Sequence, residues 1–523
     1  MNDDQLRAAV ASWIDADPHA GDRAELETLV AAGAWSELRA RFAGPLVFGT
    51  AGLRGPLRAG PNGMNAAVVR RTSAGVAQWM LANGHGEVVV GYDARLRSQE
   101  FAHDSAAVFA AAGVRVHLAD RPWPTPITAF AVRHLSAGAG VQVTASHNPA
   151  TDNGYKVYDD TGAQIVAPDD ATIAAAIEAR AGATIETRPV TAALGDAILA
   201  AYRGVALGVL ESSTRRDLRI VYTPLCGVGG EVMMALFAAA GFVDVHVVAE
   251  EFAPDPGFAG LAFPNPEEPG VLDRALRLAG QVDADIVIVN DPDADRLAVC
   301  VTDPAGRWRA LSGDELGLWL GALRLDATTE RRDRVVARSR VSATALDRLA
   351  TRLGVECVVT GTGFKWLSRA VDGRSGSSLV FAYEEALGYA VSDAVRDKDG
   401  LTAALVAAEG AASTPPLEVL AEIGAHDGVT VTTQWAPRFE GPDSADRMRT
   451  VMSDLGEGDP VDVVFAEGMA HVRPSGTEPK LKCYFETTVP LHGASVEAYE
   501  LARSVGLERC RTMQAELAAR LGL

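Results

Sequence analysis

Short apolar runs rich in valine and isoleucine alternate along this chain with longer stretches in which apolar positions return every three or four residues. The short runs predict buried strands, and the periodic stretches predict amphipathic helices. From Glu87 the order is a strand over Val88 to Tyr92, a helix over Gln99 to Ala112, a strand over Val114 to Leu118, a helix over Pro126 to Leu135 and a strand over Gly140 to Thr144. Strands that alternate with helices in this way build a mostly parallel sheet covered by helices.

The pattern then repeats. A second cycle has strand Arg219 to Tyr222, a glycine turn at Gly227 to Gly230, helix Glu231 to Ala240, strand Val243 to Val248, helix Val271 to Ala279 and strand Ile286 to Val289. A third has strand Val335 to Ala337, helix Ala343 to Leu353, strands Val355 to Val359 and Leu379 to Ala382, and helix Leu401 to Ala412. Ser413-Thr414-Pro415-Pro416 and the stretch to about Asp427 predict an irregular linker. Beyond it, strands Ala470 to Val472 and Leu481 to Thr487 and helix Val496 to Leu521 suggest a smaller α+β domain. Residues 1 to about 45 predict amphipathic helices packed outside the first domain. The expected fold class is therefore α/β: three similar mixed or parallel-sheet domains at 1–208, 209–308 and 309–420, and a C-terminal α+β domain at 421–523, with polar strand-end loops that suggest a site assembled in a central cleft between domains. No repeat of 20 to 50 residues is visible, which excludes a solenoid.

Composition narrows the class. With 523 residues, 48% hydrophobic and 22% charged, the chain can bury several cores. No apolar run approaches the ~18 residues of a membrane helix, and Met1-Asn2-Asp3-Asp4 is acidic where a signal peptide is basic, so a cytoplasmic protein is expected. The five scattered cysteines form no C-x-x-C pair and argue against a disulfide framework or a zinc site. A formal charge of -20 argues against nucleic acid and anionic membranes as partners. A phosphorylated substrate would need locally basic loops.

Several strand ends carry such chemistry. Thr144-Ala145-Ser146-His147-Asn148-Pro149 displays a hydroxyl beside an imidazole at a carboxyl edge, where open α/β sheets bind ligands. A serine becomes an effective nucleophile with a neighbouring base or cation, although Ser, Asn and Pro also favour plain turns. In Phe48 to Gly55, three glycines allow close backbone approach while Arg54 offers a planar donor fork, or the segment is a flexible turn. Asn153-Gly154 is a turn signal that would bring Lys156 near the serine loop. Asp291-Pro292-Asp293-Ala294-Asp295-Arg296 alternates carboxylates in a tight turn suited to one small hard cation such as magnesium. It is no EF-hand, since Arg296 stands where glycine is needed and Thr302 where a bidentate Glu is needed.

Thr360 to Trp366 carries Thr362, Gly363 and Lys365 on another glycine-bearing loop. The adjacent Glu384 and Glu385 suit sugar hydroxyls or a helix amino terminus. Arg396 and Lys398 add cations. Arg473, Ser475, Gly476, Thr477 and Lys480 form a candidate phosphate cradle. A phosphatase with Asp291 or Asp293 as nucleophile is an alternative, as is a non-catalytic sugar-phosphate binding protein.

Taken in order, T-A-S-H-N-P, D-P-D-A-D-R, E-E-A-L-G-Y and R-P-S-G-T-E-P-K resemble the α-D-phosphohexomutase family, the phosphoglucomutases and phosphomannomutases, from about Phe48 to Phe485. The resemblance implies an intramolecular phosphotransferase that interconverts hexose 1-phosphate and hexose 6-phosphate, glucose favoured and mannose possible. It implies a phosphoserine at Ser146, one magnesium per chain on Asp291, Asp293, Asp295 and the seryl phosphate, and a sugar bisphosphate as intermediate and primer. By the same resemblance Arg54, Lys156 and Lys398 lie around the transferred phosphoryl and the proton-transfer groups, while His147, next to the serine, is a catalytic candidate as its neighbouring base. Arg296, Thr362, Gly363, Lys365 and Glu384 contact substrate, and Arg473 to Lys480 hold its distal phosphate. Partners would be small sugar phosphates only, the protein a monomer or dimer. Many glucose mutases carry Ser two residues after the sugar-binding Glu; here the residue is Ala386, closer to phosphopentomutases and bisphosphate synthases. A ribose or deoxyribose 1-phosphate substrate therefore stays open.

Overall fold

The computed structural model describes residues 1–49, 52–211, 215–328, 333–441, 443–456, 458–475 and 480–523. Its contacts divide the chain into two units. The first gathers Met1–Ser212, Arg216–Leu297 and Ser392–Leu405.

In the first unit, β1 (Leu53–Pro56), β2 (Glu87–Tyr92), β3 (Arg115–Leu118), β4 (Ala139–Val143) and β5 (Asp152–Tyr158) form a sheet of order β1-β5-β4-β2-β3. Strands β2, β3 and β4 run parallel, while β5 is antiparallel to both β4 and β1. The predicted βαβ alternation thus holds for the middle of the sheet, and a hairpin-like edge makes it mixed. Every residue of β4 is buried, and its one polar member, Gln142, pairs its side chain with the Thr128 hydroxyl and the Trp123 carbonyl. Helix Ser98–Ala111 packs on β2, β3 and β4, and helix Thr125–His134 packs on β2 and β4. A second parallel set follows: β6 (Ile220–Thr223) between β7 (Val245–Val247) and β8 (Ile286–Asn290). The amino-terminal segment forms helices Asp3–Ala16, Ala20–Ala31 and Trp35–Arg41, closed around Leu6, Val10, Leu26, Leu38 and Phe42.

The second unit comprises chiefly Ala298–Val391 and Val406–Leu523. It carries the antiparallel pair β9 (Leu297–Thr302) and β10 (Trp308–Ala310). Strand β11 (Arg334–Ser339) runs parallel to β12 (Glu356–Thr360) and β13 (Ser378–Glu384), and β14 (Gly388–Ala390) folds back antiparallel on β13. The last sheet is wholly antiparallel: β15 (Val429–Trp435), β16 (Val461–Phe465), β17 (Gly468–Pro474) and β18 (Leu481–Val489) in the order β15-β18-β17-β16, with helix Val496–Leu521 packed on β15, β17 and β18. No helix of the described residues is long and apolar enough to cross a membrane.

Three local expectations are corrected. Asn153-Gly154 is no turn but lies inside β5. A Cβ at Gly154 would meet the Thr144 carbonyl at 2.4 Å and the Leu53 carbonyl at 2.9 Å, so this glycine permits close approach of neighbouring backbone. The expected linker after Ser413 is largely the helix Pro416–Asp427, whose Leu417, Leu420, Ala421 and Ile423 are buried. Proline suits a first helical turn, where its missing N–H goes unused, so Pro415-Pro416 begins this element. Glu384 and Glu385 close the β13 and β14 pair and begin no helix.

Candidate active site

Strand β4 delivers its carboxyl end to a loop that places Ser146 in a left-handed backbone conformation, φ 54°. A non-glycine residue there is uncommon and needs support. The Ser146 amide donates to Thr144 Oγ1 at 2.8 Å, a local side-chain turn. Ser146 Oγ donates to Asp291 Oδ2 at 2.9 Å and lies 3.1 Å from His147 Nδ1. Burial first, then the charges of Arg296 and Arg54, holds the His147 imidazole well below its ordinary pKa, so it is neutral near pH 7. Arg54 lies on β1, exposed, and donates to Asn148 Oδ1 at 3.0 Å.

Strand β8 ends at Asn290 and turns immediately. Asn290 Nδ2 donates to the Arg296 carbonyl at 2.8 Å, and the Arg296 amide donates to Asp291 Oδ1 at 3.0 Å, so the turn closes on itself. It carries Asp291, Asp293 and Asp295, all buried, with carboxylate oxygens within 4.8 Å of one another. Lys156 on β5 reaches Asp293 Oδ2 at 2.8 Å and Asp295 Oδ2 at 2.9 Å, and Lys398 Nζ lies 3.3 Å from Asp295 Oδ2. Burial pushes the Asp293 carboxyl up, but the Lys156 ammonium outweighs it and holds the group below the usual range. At Asp291 burial and repulsion from Asp293 and Asp295 act together and push the carboxyl well above it. Asp293 Oδ1 and Asp295 Oδ1 are buried and lack a hydrogen-bond partner. Hard, unsatisfied oxygens converging in one turn fit a magnesium-like cation.

Three side chains that the sequence reading did not single out complete this site. Thr125, at the start of a helix, donates from Oγ1 to Asp293 Oδ2 at 2.5 Å. Arg95 grips the serine loop from below through carbonyl oxygens. Asp397 accepts from Tyr158 at 3.0 Å and from Gln164 at 2.8 Å, and so anchors the segment that bears Lys398. Asp93-Ala94-Arg95 directly after an apolar strand was the available signal for the second; Thr125 left none.

The remaining candidates lie in the second unit. Glu384 ends β13 and is buried. Gly363 has φ 104° just before Lys365, whose ammonium lies 5.9 Å from the Trp366 ring centre; Thr362 precedes them. Arg473 is on β17, with its buried Nε lacking a hydrogen-bond partner, and the Ser475 amide donates to the Lys480 carbonyl at 2.9 Å. Gly476 and Thr477 lie outside the described residues. Ser146, His147, Arg54, Lys156, the three aspartates, Arg296 and Lys398 thus share one unit, and Glu384, Lys365 and Arg473 the other.

Four family models match consecutive stretches of the chain: phosphoglucomutase/phosphomannomutase alpha/beta/alpha domain I over residues 45–183, domain II over 200–306, domain III over 312–425, and the C-terminal domain over 436–498. A curated relative from Haemophilus influenzae, "Probable phosphomannomutase", is 36% identical over 458 residues, covering 81% of this chain and 93% of the relative. The chain belongs to the phosphoglucomutase/phosphomannomutase family. It is an enzyme of the phosphotransferase or isomerase type, with three α/β domains and a C-terminal domain. A Mus musculus phosphopentomutase is also similar, 32% identical over 565 residues with 93% of this chain and 91% of the relative covered. Among solved structures, one from Thermus thermophilus described as a putative phosphomannomutase aligns with a TM-score of 0.69 at 25% identity, over 90% of this chain and 99% of that one.

Proposed function

We propose that this family member is a phosphohexomutase, with glucose the favoured sugar and mannose a second candidate, working through a phosphoserine at Ser146 and a hexose 1,6-bisphosphate. The observation that carries the reading is the Ser146 hydroxyl at 2.9 Å from Asp291, beside two ammonium groups on the same carboxylate turn. Phosphoryl transfer is mostly positioning and neutralisation of spread negative charge, and this arrangement supplies both. When bound, magnesium held by Asp291, Asp293, Asp295 and the seryl phosphate would neutralise charge on the phosphoryl oxygens.

The residues of the chain divide the remaining work. In the first half-reaction the bond between phosphorus and Ser146 Oγ breaks while a sugar hydroxyl oxygen bonds to phosphorus, and the hydroxyl proton passes to a base. In the return step the bisphosphate, turned end over end, gives its other phosphoryl to Oγ, and the serine proton leaves. His147, neutral at 3.1 Å from Oγ, is placed to take that proton, and Lys156 and Lys398 to hold protons at the sugar oxygens. Arg473, Ser475, Gly476, Thr477 and Lys480 would grip the distal phosphate in both orientations, Arg296, Thr362, Gly363 and Lys365 would add contacts to the substrate, and Glu384 would accept from sugar hydroxyls. A sugar bisphosphate would prime any molecule that has lost its phosphate.

A pentose reading has its own support: Ala386 in place of the serine common in glucose mutases, and the phosphopentomutase relative that spans nearly the whole chain. A coupled assay with glucose, mannose, ribose and deoxyribose 1-phosphates, magnesium and glucose 1,6-bisphosphate separates the two; turnover of pentoses alone would overturn the hexose reading. Ser146→Ala should fold and show no turnover, and near-native activity in it would overturn the serine assignment. Acid-stable phosphate on the wild-type chain supports the seryl route, whereas an acid-labile acyl phosphate on Asp291 would support the phosphatase alternative.

A further inference from the structure

We propose that Arg95 is the positioning residue of the phosphoryl-carrying loop: its guanidinium fixes Ser146 in the one backbone conformation that points Oγ at the aspartate turn. The proposal rests on the reading of Ser146 as the phosphoryl carrier. Arg95 is 4% exposed, and one nitrogen, Nη2, donates to the carbonyls of Ser146 at 2.5 Å and Asn148 at 2.6 Å. The other, Nη1, donates to the carbonyls of Pro149 at 2.8 Å and Asp152 at 3.1 Å. Four carbonyls spread over the whole turn between β4 and β5 therefore converge on one planar cation.

The guanidinium is itself held in place. The Arg95 amide donates to Asp93 Oδ1 at 3.0 Å, and the carboxylate Oδ2 lies 3.5 Å from Arg95 Nε. Ser98 Oγ donates to the same Asp93 oxygen at 2.6 Å, and Asn153 Nδ2 donates to Ser98 Oγ at 3.0 Å, which ties the start of β5 to the end of β2. On its far side the guanidinium carbon lies 4.7 Å from the Phe258 ring centre. None of these groups touches the Ser146 hydroxyl, so Arg95 acts through the loop.

The physical need is the φ of 54° at Ser146, a strained conformation for a non-glycine residue that persists only where its surroundings enforce it. With the carbonyls of Ser146 and Asn148 pulled toward one nitrogen, the peptide planes on the C-terminal side of Ser146 cannot rotate, and its hydroxyl keeps its 2.9 Å contact with Asp291. Lysine carries the charge but lacks the fork, so it cannot reach four acceptors in one plane.

The test uses full-length Arg95→Ala and Arg95→Lys with Ser146→Ala in parallel, and glucose 1,6-bisphosphate radiolabelled in phosphate as the probe. Both arginine variants should incorporate label at Ser146 about 100-fold more slowly, the scale of loss for a ~1 Å misplacement. The KM for sugar phosphate should stay unchanged, since the groups that bind its far end are intact. Millimolar guanidinium should restore much of the rate in Arg95→Ala and none in Arg95→Lys. Wild-type labelling in both variants, or a rate loss that tracks the folded fraction and ignores guanidinium, would overturn the proposal; so would failure of both variants to fold. Labelling of Ser146→Ala would instead overturn the reading of Ser146, which keeps the two failures apart.

Discussion

The hydroxyl of Ser146 and the carboxyl of Asp291, 145 positions apart in sequence, meet at 2.9 Å at the ends of two different sheets. Asp291 is also the aspartate whose carboxyl is pushed well above its ordinary range by burial and by Asp293 and Asp295. Those neighbours favour the neutral, protonated form of Asp291 unless a cation compensates them. Asp291→Asn, close in shape to that neutral form, should have nearly the wild-type melting temperature in EDTA. Wild type should gain stability with magnesium, about 2.7 kcal/mol at a hundredfold excess over Kd, and the variant little. Thermal melts of both proteins across a magnesium series check this, and an equal gain in Asp291→Asn would contradict it.

Lys156 is 6% exposed and bridges Asp293 and Asp295. Removing one partner of a buried ion pair leaves uncompensated charge and costs about 3–5 kcal/mol. Lys156→Met should lose stability of that order in EDTA and recover part of it when magnesium replaces the missing positive charge. Urea unfolding in the two conditions measures the difference; a deficit identical with and without magnesium would show that the lysine and the metal do not share these carboxylates.

Regular elements were legible wherever one periodicity dominated a stretch. Strands β2, β4, β6 and β8 and the helices Ser98–Ala111, Thr125–His134, Gly229–Ala240 and Asp273–Val282 fall within a few residues of the apolar pattern because local burial decides them, whereas the helices Asp169–Glu178 and Asp196–Leu207 were not anticipated. Asn153-Gly154 misled for the opposite reason: a local turn preference was overruled by pairing with β1 and β4, which no neighbouring residue reveals. Lys398 sits in the third cycle by sequence, yet Ser392–Leu405 belongs to the first unit, through Asp397 with Tyr158 and Asp399 with Tyr202. Arg95 spends its charge on backbone oxygens more than fifty positions away, and carbonyls leave no mark in a sequence.

Thr125 offers a test of how far the support of the aspartate turn extends. Its Oγ1 donates to Asp293 Oδ2 at 2.5 Å and its amide to the Asp293 carbonyl at 2.9 Å. Partners of metal-binding carboxylates orient them, and their loss lowers affinity about 10–100-fold. Thr125→Val keeps the shape and the amide bond but removes the hydroxyl. Half-maximal activity should then require about 10–100-fold more magnesium, while the rate at saturating magnesium stays near wild type. A magnesium titration of initial rates decides it, and an unchanged midpoint would confine Thr125 to a structural role.

Glu385 provides a pH test in the second unit. Its Oε2 accepts from Ser339 Oγ and Ser342 Oγ, each at 3.2 Å, and the side chain is buried. Burial first, then the charges of Glu384 and Asp314, pushes this carboxyl up to about 8 from an ordinary value of 4.5. A raised carboxyl binds its proton more tightly in the folded chain than in the unfolded one, so its contribution is complete below pH 4.5, declines as pH rises toward 8, and changes no further above that. Glu385→Gln, shaped like the protonated form, removes that decline. Its melting temperature relative to wild type should therefore rise steadily between pH 5 and pH 8 and level off above, as the folded value of about 8 requires. Asp314, also raised by burial, is coupled to Glu385 through its charge, so the same pair is compared in an Asp314→Asn background, where the rise should persist. A difference that is flat across this window would mean that Glu385 is already charged at pH 5 and that its two serine partners, rather than its proton, hold it in place.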